Sequence, residues 1–510
     1  MKTILTLSII AVVFAQIRLA AEIIHVDATA TGGADGTSWA NAYTTLRDGL
    51  AAAVSGDQIW VAEGVYYPDQ GVGAVNNDRN SSFRLINNVT LYGGFSGTET
   101  QLAQRNIRDK KTILSGDLAG NDILSVGLAN TSENAYHVVY SPDANQALVD
   151  GFTITAGNAN GPANTDDIFD FTVLRDNAGG GLYCDGNDTF INCTFQGNNA
   201  GDMGGGIYIS YNHYPTFINC VIQGNKANNG GGINNAWYVG AEFINCSIQG
   251  NLATENGGGI AGFGTSHSLI NCIIWNNIAL AASATHSNSI SNEYINLISH
   301  CLIEHLNPIG FNEIANLDGT NPANNPLFLY IINPAEAPTT LGDLGLRVES
   351  PALNVGDDAA NTSLTDLRGR LRKFGTIDLG AYEGALTTFV RAGFSNPNGD
   401  DNNNGVSNFV EYAAGYNPTI LGFKPIMTAF ASDDGRHITL RLRNNAADVS
   451  SEMQQSLTLK PDSWTNMVEG VDFMVEQDLI DDEQSVLTLK LLTPEPKIFF
   501  RQSFHEVNIP

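Results

Sequence analysis

Basic residues are scarce in this chain. Its 510 residues include 25 lysines and arginines against 53 aspartates and glutamates, which gives a formal net charge of −28. No run of lysine and arginine is present that would neutralise a phosphate backbone, so nucleic acid is not expected as a partner. The acidity is typical of a soluble extracellular surface, with cation binding as the alternative interpretation.

Long apolar segments are missing after the N-terminus. Residues 1–21 read MKTILTLSIIAVVFAQIRLAA, in which a basic Lys2 precedes an apolar stretch and small residues follow it. This pattern predicts a secretory signal peptide that is cleaved after Ala15 or Ala21. No later stretch approaches the ~20 apolar residues of a membrane helix. We therefore expect a secreted or cell-surface protein without a membrane span.

Cysteine is also infrequent, and its spacing does not suggest a disulfide framework. Four of the six cysteines recur at nearly constant intervals, namely Cys193, Cys220, Cys246 and Cys272. A constant interval indicates a structural period. Stacked strands would hold the cysteine Cβ atoms at nearly ~4.8 Å, which is longer than a disulfide prefers. We expect buried free thiols, with disulfides between the repeats as the alternative.

Glycine and asparagine, by contrast, are abundant and recur with the cysteines. The four copies read INCTFQGN, INCVIQGN, INCSIQGN and INCIIWNN. Strand alternation predicts an inward face formed in the first copy by Ile191, Cys193 and Phe195. It predicts an outward ladder that contains Asn192, Asn219, Asn245 and Asn271. A second ladder is expected to stack at one turn in left-handed geometry and to bond from copy to copy; it consists of Asn198, Asn225, Asn251 and Asn277.

Each copy continues with three glycines and an apolar residue, as at Gly204–Ile207. Glycine permits positive φ and close backbone approach at a corner, and the apolar residue begins another inward ladder. A single copy cannot bury its apolar stripe, so we predict an all-β solenoid in which the copies are coils of a parallel β-helix. Thr37 or Ser38 is expected to cap a short helix, with apolar Leu46, Leu50 and Ala53, that covers the N-terminal end.

The repeats resemble the pectin-lyase-like superfamily of right-handed parallel β-helix proteins. The pattern F-x-G-N-x-A followed by GGGI is similar to the repeat of polymorphic outer membrane proteins. The stretches SPALNVGD from Ser350 and TDLRGRLRKFGTIDLGAYEG from Thr365 resemble the closing segment of the choice-of-anchor Q domain. The resemblance covers residues 22–385 and implies a fold without implying one chemistry.

Residues 386–420 are predicted to be a linker that holds a calcium loop. From Asp400 the sequence fits D-x-[DN]-x-[DN]-G-x5-E, a pattern that resembles an EF-hand or dockerin half-loop. The expected oxygen ligands of a structural Ca²⁺ are Asp400, Asn402, Asn404, Val406 through its carbonyl, Asn408 and Glu411. A polar asparagine-rich linker is the alternative. Residues 421–510 alternate apolar and polar residues between turns, which predicts a small C-terminal β-sandwich.

Two surface features are candidates for function. The insertion NTDDIFDFTVLRDN would supply an acidic catalytic cluster with a basic residue, formed by Asp166, Asp167, Asp170, Arg175 and Asp176. A solvated acidic loop is the alternative. The loops after each GGGI carry aromatic residues that would stack on sugar rings, or would instead cap apolar edges, namely Tyr208, Tyr211, Tyr214, Trp237, Tyr238 and Phe263.

These observations favour a monomeric, non-catalytic protein that binds a polysaccharide or a cell-surface glycan and acts in adhesion. The outward strand faces carry no recurring aspartate or glutamate, which argues against a catalytic groove there. The alternative is a polysaccharide lyase or glycoside hydrolase that uses the insertion at 166–176. His213 and His267 are expected at the surface.

Overall fold

The structure is a computed structural model. Side chains and backbone are described for most of the chain between residues 21 and 384, namely residues 21–123, 129–142, 145–162, 174–262, 267–281, 289–291, 295–304, 314–347, 349–369, 372 and 376–384. Backbone alone is described for residues 312–313 and for the strands beyond residue 426. The predicted signal peptide through residue 20, the acidic residues Asp166, Asp167 and Asp170, and the predicted calcium loop lie outside the described residues.

Two large sheets run through the repeat region. Sheet 1 has ten strands: Ile23–Val26, Gln58–Ala62, Thr90–Phe95, Leu148–Asp150, Thr189–Ile191, Thr216–Ile218, Glu242–Ile244, His267–Ile270, Ile295–Ser299 and Asn312–Ile314. Sheet 2 has nine: Gly64–Tyr66, Thr112–Ser115, Phe152–Thr155, Thr194–Gln196, Val221–Gln223, Ser247–Gln249, Ile273–Trp275, Leu302–Ile303 and Leu317–Asp318.

Two further sheets complete each coil. Sheet 3 has five short strands: Asn158–Ala159, Asn199–Ala200, Lys226–Asn229, Leu252–Asn256 and Ile278–Ala279. Sheet 4 has seven: Phe83–Arg84, Val139–Ser141, Leu182–Cys184, Ile207–Ile209, Ile233–Asn235, Ile260–Gly262 and Ile290–Ser291. Neighbouring strands in all four sheets are parallel. From Leu148 to Ser291 the chain visits the four sheets in turn and then advances by one strand, and the coils described on either side have no strand in sheet 3. The predicted parallel β-helix is confirmed.

The predicted N-terminal helix is shorter than expected. Helix α1 spans Leu46–Ala52, and its N-cap is Thr45, whose hydroxyl accepts a hydrogen bond from the Asp48 amide. Ser38 instead caps a 3-10 turn, Trp39–Asn41, so the prediction of Thr37 or Ser38 as the helix cap is wrong. The predicted apolar side chains of the helix are nevertheless buried. Other 3-10 turns are Leu102–Gln104, Pro322–Asn324 and Pro334–Glu336.

The asparagine before each cysteine changes which residues face the interior, so the inward ladder differs from the prediction. Asn192 and its equivalents have φ values of 52° to 56°, so the extended backbone ends between sheets 1 and 2. Alternation restarts at the cysteine, and Phe190 fills the interior while Ile191 is only half-buried. The rings of Phe190, Phe217 and Phe243 stack with centroids 5.2 and 5.0 Å apart. The prediction that Ile191 faces inward is therefore wrong.

The cysteines form a ladder of thiols in the interior, as predicted. All six cysteines are free and buried. The Cys220 thiol lies 3.4 Å from the carbonyl oxygens of both Phe190 and Ile218, to which it donates. Burial raises the pKa of the Cys220 and Cys246 thiols well above the usual value. The Cys220 and Cys246 side chains therefore fill space in the core as small apolar groups.

The buried asparagine ladder that begins at Asn198 bonds from coil to coil, as predicted. The Asn225 side-chain oxygen accepts from the Asn198 amide at 3.0 Å and from its Nδ2 at 3.1 Å, and the pattern continues to Asn277. The left-handed residue is not the ladder asparagine but the one before it, for example Gly197 with φ 62°. The corner after sheet 3 also needs glycine, since a Cβ on Gly205 would lie 2.3 Å from the Lys226 carbonyl oxygen.

The described residues between 326 and 384, here called the closing segment, cover the part of the outer face of sheet 2 that runs from Val221 to Leu302. They include the antiparallel strands Phe328–Tyr330 and Asp343–Leu346. Leucines and alanines of this segment pack on outward side chains of sheet 2 such as Ile273 and Trp275. The Gln249 side chain bonds both the carbonyl and the amide of Ile332, at 2.8 and 3.1 Å. The chain therefore buries this face with its own residues.

The stretch that resembles the choice-of-anchor Q domain builds a buried polar network inside the closing segment. The Arg372 guanidinium pairs with Glu383 at 3.2 Å and donates to the Gly380 carbonyl. Asp378 accepts from the Asn354 and Gly384 amides, both at 2.6 Å. Burial raises the pKa of Asp378 to about 6 and that of Glu383 well above its usual value. This network fixes the end of the segment.

The C-terminal strands form two antiparallel sheets. One sheet has the order Met427–Ser432, Gly435–Arg443, Gln484–Leu491 and Phe473–Leu479. The other has the order Thr465–Asn466, Val449–Ser456 and Phe499–Glu506. The predicted β content is confirmed, and packing of the two sheets as a sandwich stays a prediction. In the described part of the chain, no helix has the length and hydropathy to cross a membrane.

Candidate functional site

Two neighbouring loops carry most of the predicted carbohydrate-binding residues. Residues 210–215 and 236–241 connect sheet 4 to sheet 1 in successive coils. Their backbones are bonded to each other, with the Asn212 amide 3.2 Å from the Trp237 carbonyl oxygen and the Gly240 amide 3.1 Å from that of His213. Small buried residues such as Val239 and Ala241 anchor the second loop in the core. The coil repeat thus places two loops side by side that are one period apart in sequence.

Four aromatic rings project from these loops into solvent. The exposed fractions are 38% for Tyr211, 52% for Tyr214, 41% for Trp237 and 61% for Tyr238. Of the five aromatic side chains that are exposed within the described residues, the fifth is Tyr330 in the closing segment. We call the group Tyr211, Tyr214, Trp237 and Tyr238 the aromatic corner. Its concentration of exposed rings differs from isolated surface residues, which need no explanation.

The rings of the aromatic corner are held in defined positions. Tyr211 and Tyr238 meet edge to face, with centroids 5.6 Å apart and ring planes at 88°. The Tyr214 amide donates to the Asn187 side chain at 2.7 Å, and the Tyr214 hydroxyl lies 3.1 Å from Asn212 Oδ1. Apolar ring faces beside hydroxyl and amide groups suit a ligand with apolar faces and a hydroxyl rim, as a sugar ring has.

Gly240 allows one edge of the Tyr214 ring to lie against the second loop. A Cβ on Gly240 would lie 2.5 Å from Tyr214 Cδ1, so a larger residue there would displace the ring. Tyr238 has a φ of 60°, a strained value for an aromatic residue that turns its side chain out of the loop. Loop geometry therefore sets the orientation of both rings.

Tyr208 is not part of this surface, so its prediction as a binding residue is wrong. It lies within the sheet 4 strand and is buried, with its ring centroid 5.0 Å from that of Tyr183. Burial raises the pKa of Tyr208 to about 12. Tyr208 was grouped with the other aromatic residues because it also follows GGGI. In the structure it lies in the strand that precedes the loop.

The outward asparagine ladder is likewise unavailable to a ligand. Asn219 Nδ2 donates to Asn192 Oδ1 at 3.2 Å and to the Thr365 carbonyl at 3.0 Å. Asn271 binds the backbone of Asp357 through both its Nδ2 and its Oδ1, at 3.1 and 2.7 Å. The interpretation that this ladder bonds sugar hydroxyls is therefore wrong, because the closing segment occupies its polar groups.

The acidic insertion is only partly within the described residues. Asp166, Asp167 and Asp170 lie outside them, and Arg175 and Asp176 lie inside. Arg175 is buried, which does not suit a base in an open groove. His267 is also buried, against the surface position expected for it, and burial lowers its pKa to about 4. His213 is half-buried in the first loop of the aromatic corner.

The sequence also gave no indication of the polar groups that surround the corner. Asn187 belongs to the preceding coil, and its neighbour Asp188 is buried. Asp188 accepts from the Ala147 amide at 2.7 Å and from Asn145 Nδ2 at 3.0 Å. Burial raises the pKa of Asp188 to about 6. These bonds fix the loop on which the Tyr214 amide rests.

No protein-family model matches the chain, and no curated protein matches it either. Two solved structures resemble it. The pectate lyase Pel9A is 14% identical with a TM-score of 0.37, and the match covers 72% of this chain and 97% of that one. A rhamnogalacturonan lyase is 13% identical with a TM-score of 0.33, and the match covers 58% and 73%. Similarity at this level assigns neither activity nor substrate to this chain, and the resemblance to the choice-of-anchor Q domain stays a prediction.

Proposed function

We propose that this is an exported β-helix protein that binds polysaccharide without cleaving it, and that the aromatic corner is its binding surface. The observation that carries the proposal is the exposure of four rings on two mutually bonded loops. Export through the signal peptide at 1–21, and a place in the extracellular space or at the cell surface, are part of the proposal.

The scaffold below the corner supports recognition of an extended chain. Successive coils repeat at ~4.8 Å, and the rings come from two adjacent coils, so they lie along the axis of the solenoid. Because the loops are fixed by backbone bonds and buried residues, binding would order few side chains. A preformed surface of this kind suits a repetitive ligand.

Charge restricts the class of polysaccharide. With a net charge of −28, the protein repels anionic chains at long range. The described loop residues 210–215 and 236–241 include no lysine or arginine that would pair with a uronate carboxylate. We therefore propose neutral polysaccharides as ligands.

Substitution of Trp237 by alanine, and separately of Tyr211, is expected to weaken glycan binding about tenfold each, since each removes one exposed ring from the surface. Retardation in affinity gels that contain a soluble β-glucan, an arabinoxylan or a galactomannan measures this. The matched control is Tyr330→Ala, which removes the exposed ring outside the corner and should bind as wild type does.

Wild-type protein that none of these gels retards, and that is silent on an array of neutral glycans, would refute the proposal. Equal loss on Tyr330→Ala and Trp237→Ala would also contradict the assignment of the site. New reducing ends or unsaturated sugar ends in the incubated polymer would show that the protein cleaves the polysaccharide, and this result would contradict the non-catalytic proposal.

We also propose that residues 400–411 hold a structural Ca²⁺ at the joint between the β-helix and the C-terminal sheets. The support is the unbroken spacing of six oxygen ligands in the sequence. Asp400→Ala combined with Glu411→Ala is expected to remove one bound Ca²⁺ per chain in calorimetric titration. Asn403→Ala, which changes a position that is not a ligand, should leave the number unchanged. An unaltered stoichiometry in the double variant would exclude the loop as a site.

A further inference from the structure

Three carboxylates meet at a long corner of the β-helix that the repeat pattern does not include. Ligand atoms of Asp117, Asp122 and Glu133 all lie within 4.8 Å of one another. They belong to the connection between the sheet 2 strand Thr112–Ser115 and the sheet 4 strand Val139–Ser141.

Backbone bonds explain why these acids meet. The Ala135 amide donates to the Gly116 carbonyl at 2.8 Å, which brings both ends of the connection together. Asp117 then accepts from the amides of Asn121 and Asp122, at 3.0 and 3.1 Å, and so folds the first turn back on itself. The acids are thus gathered from the two ends of one connection.

A buried asparagine beside the carboxylates provides an independent indication of a ligand. Asn134 is only 1% exposed, and its Nδ2 donates to Asp122 Oδ2 at 2.9 Å and to the Ala156 carbonyl at 2.8 Å. The Oδ1 of the same amide group has no hydrogen-bond partner. A buried amide oxygen without a donor is costly, and native structures rarely contain one.

Two carboxylate oxygens of the cluster also lack hydrogen-bond partners. Asp122 Oδ1 and Glu133 Oε1 are inaccessible to solvent and accept no hydrogen bond. Among the described residues, no lysine or arginine forms an ion pair with the three acids. A bound cation would coordinate the three buried oxygens that lack donors. It would also balance the net negative charge of the cluster.

We propose that Asp117, Asp122, Glu133 and the side-chain oxygen of Asn134 bind one divalent cation of the Ca²⁺ class. All the donors are oxygens, and neither histidine nor cysteine takes part, so a hard cation fits and zinc or copper does not. Three acids and one amide suit the flexible coordination of Ca²⁺. The ion would link the two ends of the connection to each other. Through Asn134, which donates to the Ala156 carbonyl, it would also link them to the next coil.

The test uses the full chain without its signal peptide, stripped with chelator and titrated with Ca²⁺ or Mg²⁺ alone. In a background of Asp400→Ala and Glu411→Ala, which disables the predicted loop, we expect one Ca²⁺ per chain to remain bound. Addition of Asp122→Asn and Glu133→Gln should abolish it. Asp109→Asn, which changes an exposed acid outside the cluster, is the matched control and should still bind one ion.

Thermal melting gives a second measurement, which reports the stabilisation that the bound ion provides. Ca²⁺ is expected to raise the melting temperature of the loop-disabled background by about 3 °C, and this rise should vanish in the cluster variant. In chelator, the cluster variant should melt no lower than its background, because it removes repulsion between carboxylates. Loss of all bound Ca²⁺ when the loop alone is disabled, or an unchanged stoichiometry in the cluster variant, would overturn the proposal.

Discussion

Arg372→Met is expected to lower the free energy of unfolding by roughly 3–5 kcal/mol, because it leaves the Glu383 carboxylate buried without its partner. Arg372 is fully buried and pairs with Glu383 at 3.2 Å. Glu383 is itself buried, so little solvent is available to replace the guanidinium. Urea unfolding monitored by tryptophan fluorescence measures the loss.

The same variant should loosen the closing segment first. The segment covers apolar side chains of sheet 2 such as Ile273 and Trp275, and their exposure would increase binding of a hydrophobic dye. Glu383→Gln added to Arg372→Met should restore about 1–3 kcal/mol, since it removes the buried charge that the Arg372 guanidinium balances.

Arg84→Met serves as the control for Arg372→Met. Arg84 is exposed and lies 5.0 Å from the Tyr140 ring centroid, and its loss should change stability by no more than about 0.5 kcal/mol. An Arg372→Met protein within about 1 kcal/mol of wild type would show that the network does not hold the segment.

The stacked coils of the β-helix were predictable, because the sequence repeats with their period. Four cysteines at nearly equal intervals are sufficient to align the coils, and the alignment also predicts that Tyr211 and Tyr238 are neighbours, since they are 27 residues apart. Phe190 was missed because alternation assumes an extended backbone through the whole INC stretch. Asn192 interrupts it with a φ of 52°, a value that asparagine tolerates better than most residues.

The covered and exposed faces were not predictable, since they depend on contacts distant in sequence. Asn219 bonds the Thr365 carbonyl 146 positions later, so its ladder looks free in the sequence and is occupied in the fold. Tyr208 and Tyr211 both follow GGGI, and only burial separates them. The cluster around Asp122 lies in an irregular coil. The sequence period that located other residues is absent there, so the cluster could not be predicted.

Asn225→Ala is expected to cost on the order of 4–6 kcal/mol, because it breaks four buried hydrogen bonds at once. The Asn198 amide would lose its side-chain acceptor, and the Phe195 carbonyl would lose the donor Asn225 Nδ2. Asn198 Nδ2 and Asn251 Oδ1 would each lose one partner and keep others. Alanine is too small to fill the space, and the interior admits no solvent to the orphaned groups.

A solenoid transmits such a defect mainly to its neighbours, since each coil contacts only the next. Hydrogen exchange should therefore accelerate most in Thr194–Gln196 and Val221–Gln223 and least in Ile23–Val26, and urea unfolding gives the total cost. Asn80→Ala removes an exposed asparagine that bonds only Asp78, and it should change neither measurement. Uniform acceleration along the chain would mean that the β-helix unfolds as one unit, and unchanged exchange would mean that the stacked amides do not hold the coils together.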